Sequence, residues 1–235
     1  MKRFYRDASL GRDEHGFRVL LDGRAVKTQG GRPQALPTSA LGDALVAEWA
    51  DQGEEIDTTR FAFRDMADHA LDIVAADPAE AIAGLLPYAD TDTLCYRAEP
   101  DEALGERQTI VWEPIVATSE ERFGVRFSRV AGVIHFPHPP ETLQTLRAHL
   151  ETLDPFTLAA LVNLTSLAAS LIVGLAAIED GADLDALWDA ASLEEDWQAE
   201  LWGKDAEAQA RRDRRRAAFL AAARFAALAR TTETA

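Results

Sequence analysis

A few short stretches hold side chains of the kind that do chemistry. Asp90-Thr91-Asp92-Thr93 sets two carboxylates two residues apart, as aspartyl-phosphate phosphotransferases do. That chemistry needs the first aspartate exposed at the end of a buried strand, beside a magnesium ion. Gly84-Leu85-Leu86-Pro87-Tyr88 precedes the pair and does not read as a strand, so helix capping by Asp90, Thr91 or Asp92 is the expectation. A magnesium-dependent phosphohydrolase built on the Asp90/Asp92 pair stays as an alternative. Gly23-Arg24-Ala25-Val26-Lys27-Thr28 ends like a phosphate loop but lacks the spacing of G-x-x-x-x-G-K-[ST]. His135 and His138 have an H-x-x-H spacing within a proline-rich turn, without a helix to aim both rings at one metal. His69 falls on a helical pattern between Ala67 and Leu71, and Cys95 between Leu94 and Tyr96 reads as a buried, inert thiol. No Ser-His-Asp order, dinucleotide fingerprint or metal cluster emerges, so residue chemistry favours binding over catalysis, with no cofactor and no metal.

Composition narrows the class of partner. The chain has 235 residues with a formal charge of −16, and residues 61–205 hold 27 acidic against 8 basic side chains. Such a body repels phosphate backbones and anionic lipid and steers basic partners, which argues against nucleic acid. The single cysteine excludes an internal disulfide. The opening MKRFYRDASLGRDEHG has no apolar signal core, which leads to the expectation of a cytosol-like compartment.

The elements that must position these residues change character along the chain. Phe17, Val19 and Leu21 alternate toward one face, Asp22-Gly23 is a favoured hairpin turn, and Ala25-Val26 begins the return strand. Gly30-Gly31 with Pro33 makes a second turn. Thr38 or Ser39 then caps a helix carrying Leu41, Ala44, Leu45 and Trp49. The expected fold class is therefore α+β: a small β-rich domain with one helix over 1–62, then a mainly helical domain over 63–235. Helices are expected near 64–76, 78–87, 105–123 with an interruption at Glu113-Pro114, 140–152, 155–178, 182–190 and from about 204 onward. One short β-hairpin is expected within 124–136.

Residues 155–178 contain 24 consecutive uncharged positions, long enough to span a bilayer. Asp154 precedes them, Glu179 and Asp180 follow, and no basic flank is near, unlike an anchored span. The expectation is a central buried helix, in which Ser166, Ser170 and Gly174 allow neighbours to approach closely. A membrane-associated interaction protein is the second alternative.

Several blocks together carry a resemblance. Phe17 to Thr28, Leu36-Pro37 and Ala47-Glu48-Trp49-Ala50-Asp51-Gln52 are followed by Ala67-Asp68-His69-Ala70-Leu71-Asp72 and by Tyr88 to Arg97. Gln108 with Trp112-Glu113-Pro114 and the stretch LEEDWQAELWGKD from Leu193 to Asp205 complete the series. In this order the blocks resemble the Atp-twelve family, assembly chaperones of the F-one sector of ATP synthase found in mitochondria and α-proteobacteria. The likeness covers roughly residues 4–225. Gln29 stands where the family usually has proline, and Glu113 where it usually has aspartate.

The resemblance implies a non-enzymatic chaperone that binds the unassembled alpha subunit until the beta subunit replaces it. It implies the bacterial cytoplasm, or the mitochondrial matrix for eukaryotic relatives, and a chaperone that is monomeric when free. The partner-binding residues expected are Glu194, Glu195, Asp196, Trp197, Gln198 and Trp202, with Gly203 closing the block; either Glu194 or Glu195 is the critical acid. Trp197 and Trp202 are exposed anchors or core, and Tyr96, Arg97 and Trp112 share that ambiguity.

Overall fold

The computed structural model describes residues 1–203 and 205–231; Lys204 and residues 232–235, the end of the expected second domain, lie outside them. By spatial proximity the chain divides into two compact units. The first takes Met1–Pro78, Asp154–Ala160 and the C-terminal residues from Arg224, and the second takes Ala79–Leu153 and Leu161–Ala223.

In the first unit, β1 (Ala8–Asp13), β2 (Gly16–Leu21) and β3 (Arg24–Ala25) form an antiparallel sheet in that order. The β2–β3 turn is the expected one: Asp22 (φ 47°) and Gly23 (φ 78°) both occupy left-handed backbone space, and Leu21 pairs with Arg24. Helix α1 (Ser39–Ala50) starts where Thr38 accepts a bond from the Leu41 amide, and it buries Leu41, Leu45 and Trp49. Gly42 lets the sheet press close, because a Cβ there would lie 2.4 Å from a Leu10 methyl. Helix α2 (Ala62–His69) continues into a π-helical turn, Ala70–Val74. The carboxylate of Glu48 on α1 accepts the Phe63 and Arg64 amides at 2.6 and 2.9 Å, placing negative charge at the α2 N-terminus. The 62/63 boundary expected from sequence falls inside α2.

The second unit is helical, with α3 (Pro78–Asp90) leading into it. Helix α4 (Ala103–Phe123) ends at Gly124 in left-handed conformation. The expected interruption at Glu113-Pro114 is absent, and α4 runs through Pro114. The proline removes one amide donor to the carbonyl of residue 110, on a side of the helix that is open to solvent, Ile110 being 75% exposed. The hairpin expected within 124–136 is also not formed. Instead β5 (Val130–Ala131) pairs in parallel with β4 (Tyr96–Arg97), a partner more than thirty residues earlier. Helix α5 (Pro140–Leu150) follows.

The long uncharged segment is two helices rather than one, α6 (Pro155–Ala168) and α7 (Leu171–Ala177). Between them Ala169 has φ 50°, and Ser170 turns to cap α7 by accepting the Val173 amide. Gly174 then lies against α6: a Cβ there would stand 2.5 Å from the Thr165 hydroxyl. The small residue serves a fold-back of the segment on itself, while Ser166 is exposed. Burial of the segment is as expected, with Leu158, Leu161, Leu164 and Leu171 almost wholly covered. Among the described residues no helix is long and apolar enough to cross a membrane. Helices α8 (Leu184–Ala191), α9 (Leu193–Trp202) and α10 (Ala206–Arg230) complete the chain.

Candidate functional site

The expected partner-binding residues all lie on α9, which Gly203 (φ 91°) terminates. The acids of this helix meet arginines from two other helices. Glu195 pairs with Arg215 at 2.8 Å and Asp196 with Arg212 at 2.7 Å, both arginines on α10. Glu200 takes a two-pronged contact from Arg107 of α4, at 2.6 and 3.0 Å. Arg107 also lies 5.6 Å from the centre of the Trp197 ring, and Arg215 stands at the same distance from the buried Trp188. A groove of about 650 Å³ runs here, bordered by Arg107, Glu195, Asp196, Arg212 and Trp202.

Glu194 behaves differently from its neighbours. Its carboxylate accepts from the amide nitrogen of Gln108 at 2.7 Å, and the oxygen of that fully buried glutamine accepts the Ala98 amide at 2.7 Å. No cation is bonded to it in this chain of contacts, and desolvation pushes its carboxyl above the ordinary glutamate range. Glu194 therefore ties α9 through α4 to the residue following β4. Both glutamates are exposed, but Glu195 pairs with an arginine, so the two that sequence left undivided differ in their partners.

The tryptophans separate as well. Trp202 is 78% exposed and Leu201 58%, whereas Trp197 is half-buried beneath Arg107. Trp112 is core, fully buried with its indole N–H donating to the Ala190 carbonyl at 2.8 Å. Tyr96 and Arg97 are half-buried in β4; Tyr96 shares a hydrogen bond with His135, and Arg97 pairs with Glu113 at 2.9 Å. Sequence reasoning singled out the acids of α9 but missed Arg107, Arg212 and Arg215. The signal available was the run RRDRRR at 211–216, whose charges face the acidic α8 and α9.

The remaining chemical candidates are structural. Asp92 is fully buried, with one oxygen accepting the Leu94 amide at 3.1 Å and the other the Ile172 amide at 2.9 Å. Burial raises its pKa to about 6 despite those bonds. Asp90 ends helix α3 rather than a strand, so the pair is not placed at a strand end as in aspartyl-phosphate phosphotransferases. His138 is buried: Nδ1 accepts the Ser128 amide and Nε2 donates to the Ala89 carbonyl, each at 2.9 Å. His135 turns instead to Tyr96 and Asp90, so the two histidines do not converge. Cys95 is buried and its thiol is pushed far up, which removes nucleophilic thiolate at neutral pH. Among the described residues no group of three metal-ligating side chains is assembled.

Comparison with known proteins adds a likeness along the whole chain. The family model described as ATP12 chaperone protein matches residues 2–120. The chain is 24% identical over 214 residues to the mitochondrial protein atp12 of Schizosaccharomyces pombe, covering 86% of this chain and 74% of that one. The crystal structure of Atp12 from Paracoccus denitrificans superposes with a TM-score of 0.92 at 37% identity, covering 97% of this chain and 98% of that chain. A point mutant of the same Paracoccus protein gives a TM-score of 0.91 at the same identity and coverage.

Proposed function

The chain belongs to the ATP12 chaperone family, and from that premise we propose that it is a non-enzymatic assembly chaperone of ATP synthase that holds the unassembled alpha subunit. The observation that carries this reading is family membership over a chain in which one member of each candidate pair, Asp92 and His138, is committed to backbone contacts. A lone subunit presents an apolar interface that self-associates, so a chaperone has to cover it reversibly. Helix α9 suits such a task. Leu201 and Trp202 offer exposed apolar area beside charges that are already paired in the free protein, and aromatic anchors of this type often dominate binding energy.

The pairing also suggests how release works. Exposed ion pairs contribute about 0–1 kcal/mol each. A client cation can therefore take Glu195 or Glu200 in exchange, Arg215 keeping its bond to the Leu167 carbonyl, and the exchange reverses readily when the beta subunit competes. Glu194, Glu195, Asp196, Trp197, Gln198 and Trp202 form the proposed contact set, and the free chaperone is a monomer acting in the cytoplasm, as befits likeness to a bacterial Atp12.

The test is co-expression pull-down with alpha and beta subunits offered separately, together with light scattering of isolated alpha subunit. Capture of alpha but not beta, with suppressed scattering, is the expected result. Absence of both overturns the assignment, whereas full activity in Glu194→Lys and Glu195→Lys overturns only the site.

A further inference from the structure

Between β5 and α5 the chain displays three large apolar side chains almost without cover: Val133 is 95% exposed, Ile134 82% and Phe136 60%. Apolar residues scattered singly on a surface need no explanation, but three within four positions form a patch. The loop is held at both ends. On the near side Arg129 bonds both Glu113 and Glu120 of α4, and Glu120 is itself almost wholly buried. On the far side the buried His138 is fastened to the Ala89 carbonyl and the Ser128 amide. An apolar tip on an anchored base loses little conformational freedom on binding, which favours affinity.

Helix α4 connects this loop with the site on α9. Arg107, Ile110 and Glu113 follow one another at steps of three and lie on one side of the helix. Arg107 reaches Glu200 and Trp197 on α9, and Glu113 reaches Arg97 of β4 and Arg129 at the loop base. Ile110, 75% exposed, sits between these two attachments, which are about 9 Å apart along the axis at 1.5 Å per residue.

We propose that the 133–136 loop, Ile110 and the Leu201–Trp202 end of α9 form one continuous docking surface for the apolar subunit interface of the unassembled alpha subunit. This rests on the function proposed above and enlarges its contact area. The occupant is a protein face fringed with lysine or arginine, because Glu99, Asp101, Glu102 and Glu106 lie exposed between β4 and Arg107 without a basic residue among them. The same acidic fringe repels anionic headgroups, and with a formal charge of −16 it opposes a second copy of the chain.

The test uses the full chain and isolated alpha subunit, with Kd read by biolayer interferometry. Val133→Ser/Ile134→Ser should weaken binding about tenfold, and Ile110→Ser about threefold, with thermal melts unchanged because all three side chains are exposed. If wild type binds and the double variant binds within twofold of it, this surface is overturned and the site on α9 stands. If wild type does not bind alpha subunit, the function proposed above fails and this surface fails with it. Two further outcomes overturn the surface alone: wild-type sedimentation with phosphatidylcholine/phosphatidylglycerol vesicles that the double variant abolishes, or a concentration-dependent wild-type dimer that it converts to monomer.

Discussion

Two sets of helical carboxylates, one in each compact unit, are put to opposite uses. On α2 and the π-helical turn of the first unit, Asp68 accepts the Gln29 amide at 3.0 Å and the Gln34 side chain at 2.7 Å, while Asp72 takes the Gly30 amide and the Thr28 hydroxyl, both at 2.8 Å. On α9 of the second unit, Glu195, Asp196 and Glu200 meet only the tips of arginine side chains in these contacts. Two of the four donors to the first set are backbone amides, which cannot swing away to another partner, whereas a guanidinium can exchange one acceptor for another. The first set is a clamp that fixes a loop to a helix, and the second is a set of exchangeable contacts at a surface. Gln29 belongs to the same clamp, since a proline in its place would have no N–H to give to Asp68.

Four measurements would sharpen or break this contrast. The largest effect belongs to Asp68→Ala, which strands the Gln29 amide and the Gln34 side chain; chemical denaturation should register a loss of about 2–4 kcal/mol. A loss below about 0.5 kcal/mol would show that the clamp contributes nothing. Asp92→Asn should follow with about 1–3 kcal/mol, because an amide can offer only one oxygen to two facing N–H groups. Its thermal melt should drop although the side chain has almost the same size. A variant as stable as wild type would mean that the break between α6 and α7 is held by other contacts.

The third prediction concerns pH. Burial lowers the His138 pKa below its ordinary 6.5, so as pH falls from 7 the unfolded chain gains a proton that the folded chain resists. Stability therefore declines through that range. Asp92 has the opposite sign: its folded pKa of about 6 lies above the ordinary 3.8, so the folded chain binds the extra proton and stability rises between about pH 6 and 4. Gln at 138 can still accept from Ser128 and donate to Ala89 but cannot titrate. His138→Gln should consequently melt at a more nearly constant temperature from pH 7.5 to 5.5 than wild type does; an unchanged pH slope would exclude His138 as its source.

The smallest stability effect belongs to the exchangeable contacts. Glu195→Lys should change stability by about 1 kcal/mol or less, the pair being exposed, yet should weaken capture of the alpha subunit. Adding Arg215→Glu restores the pair with reversed polarity. If that double variant recovers capture fully, Glu195 acts by holding α9 in place; if capture stays weak while the Arg215→Glu single variant, which also loses the bond to the Leu167 carbonyl, captures normally, the Glu195 carboxylate meets the client.

Sequence by itself determined the features that depend on a few neighbouring residues. Asp22-Gly23 sets its turn because both positions need left-handed backbone space, and Thr38, one of the two caps open to the sequence, starts α1 because its hydroxyl reaches an amide three residues on. The α9 block was legible as a unit through its motif. Which of its acids is paired with arginine, and which tryptophan is exposed, was not, because those answers lie in α4 and α10. The same holds for the second unit's departures from expectation. Local pattern over 155–178 is uniformly helical, but Asp92, 80 residues from Ile172 in sequence, accepts its amide, and Thr93 donates to the Ala169 carbonyl at 2.8 Å. The parallel pairing of β4 with β5 and the passage of α4 through Pro114 likewise depend on distant groups or on solvent. Steric and capping preferences act over one helical turn, so they are written in the local sequence. The partners of a buried carboxylate or a surface arginine are chosen by packing, and only the tertiary structure decides them.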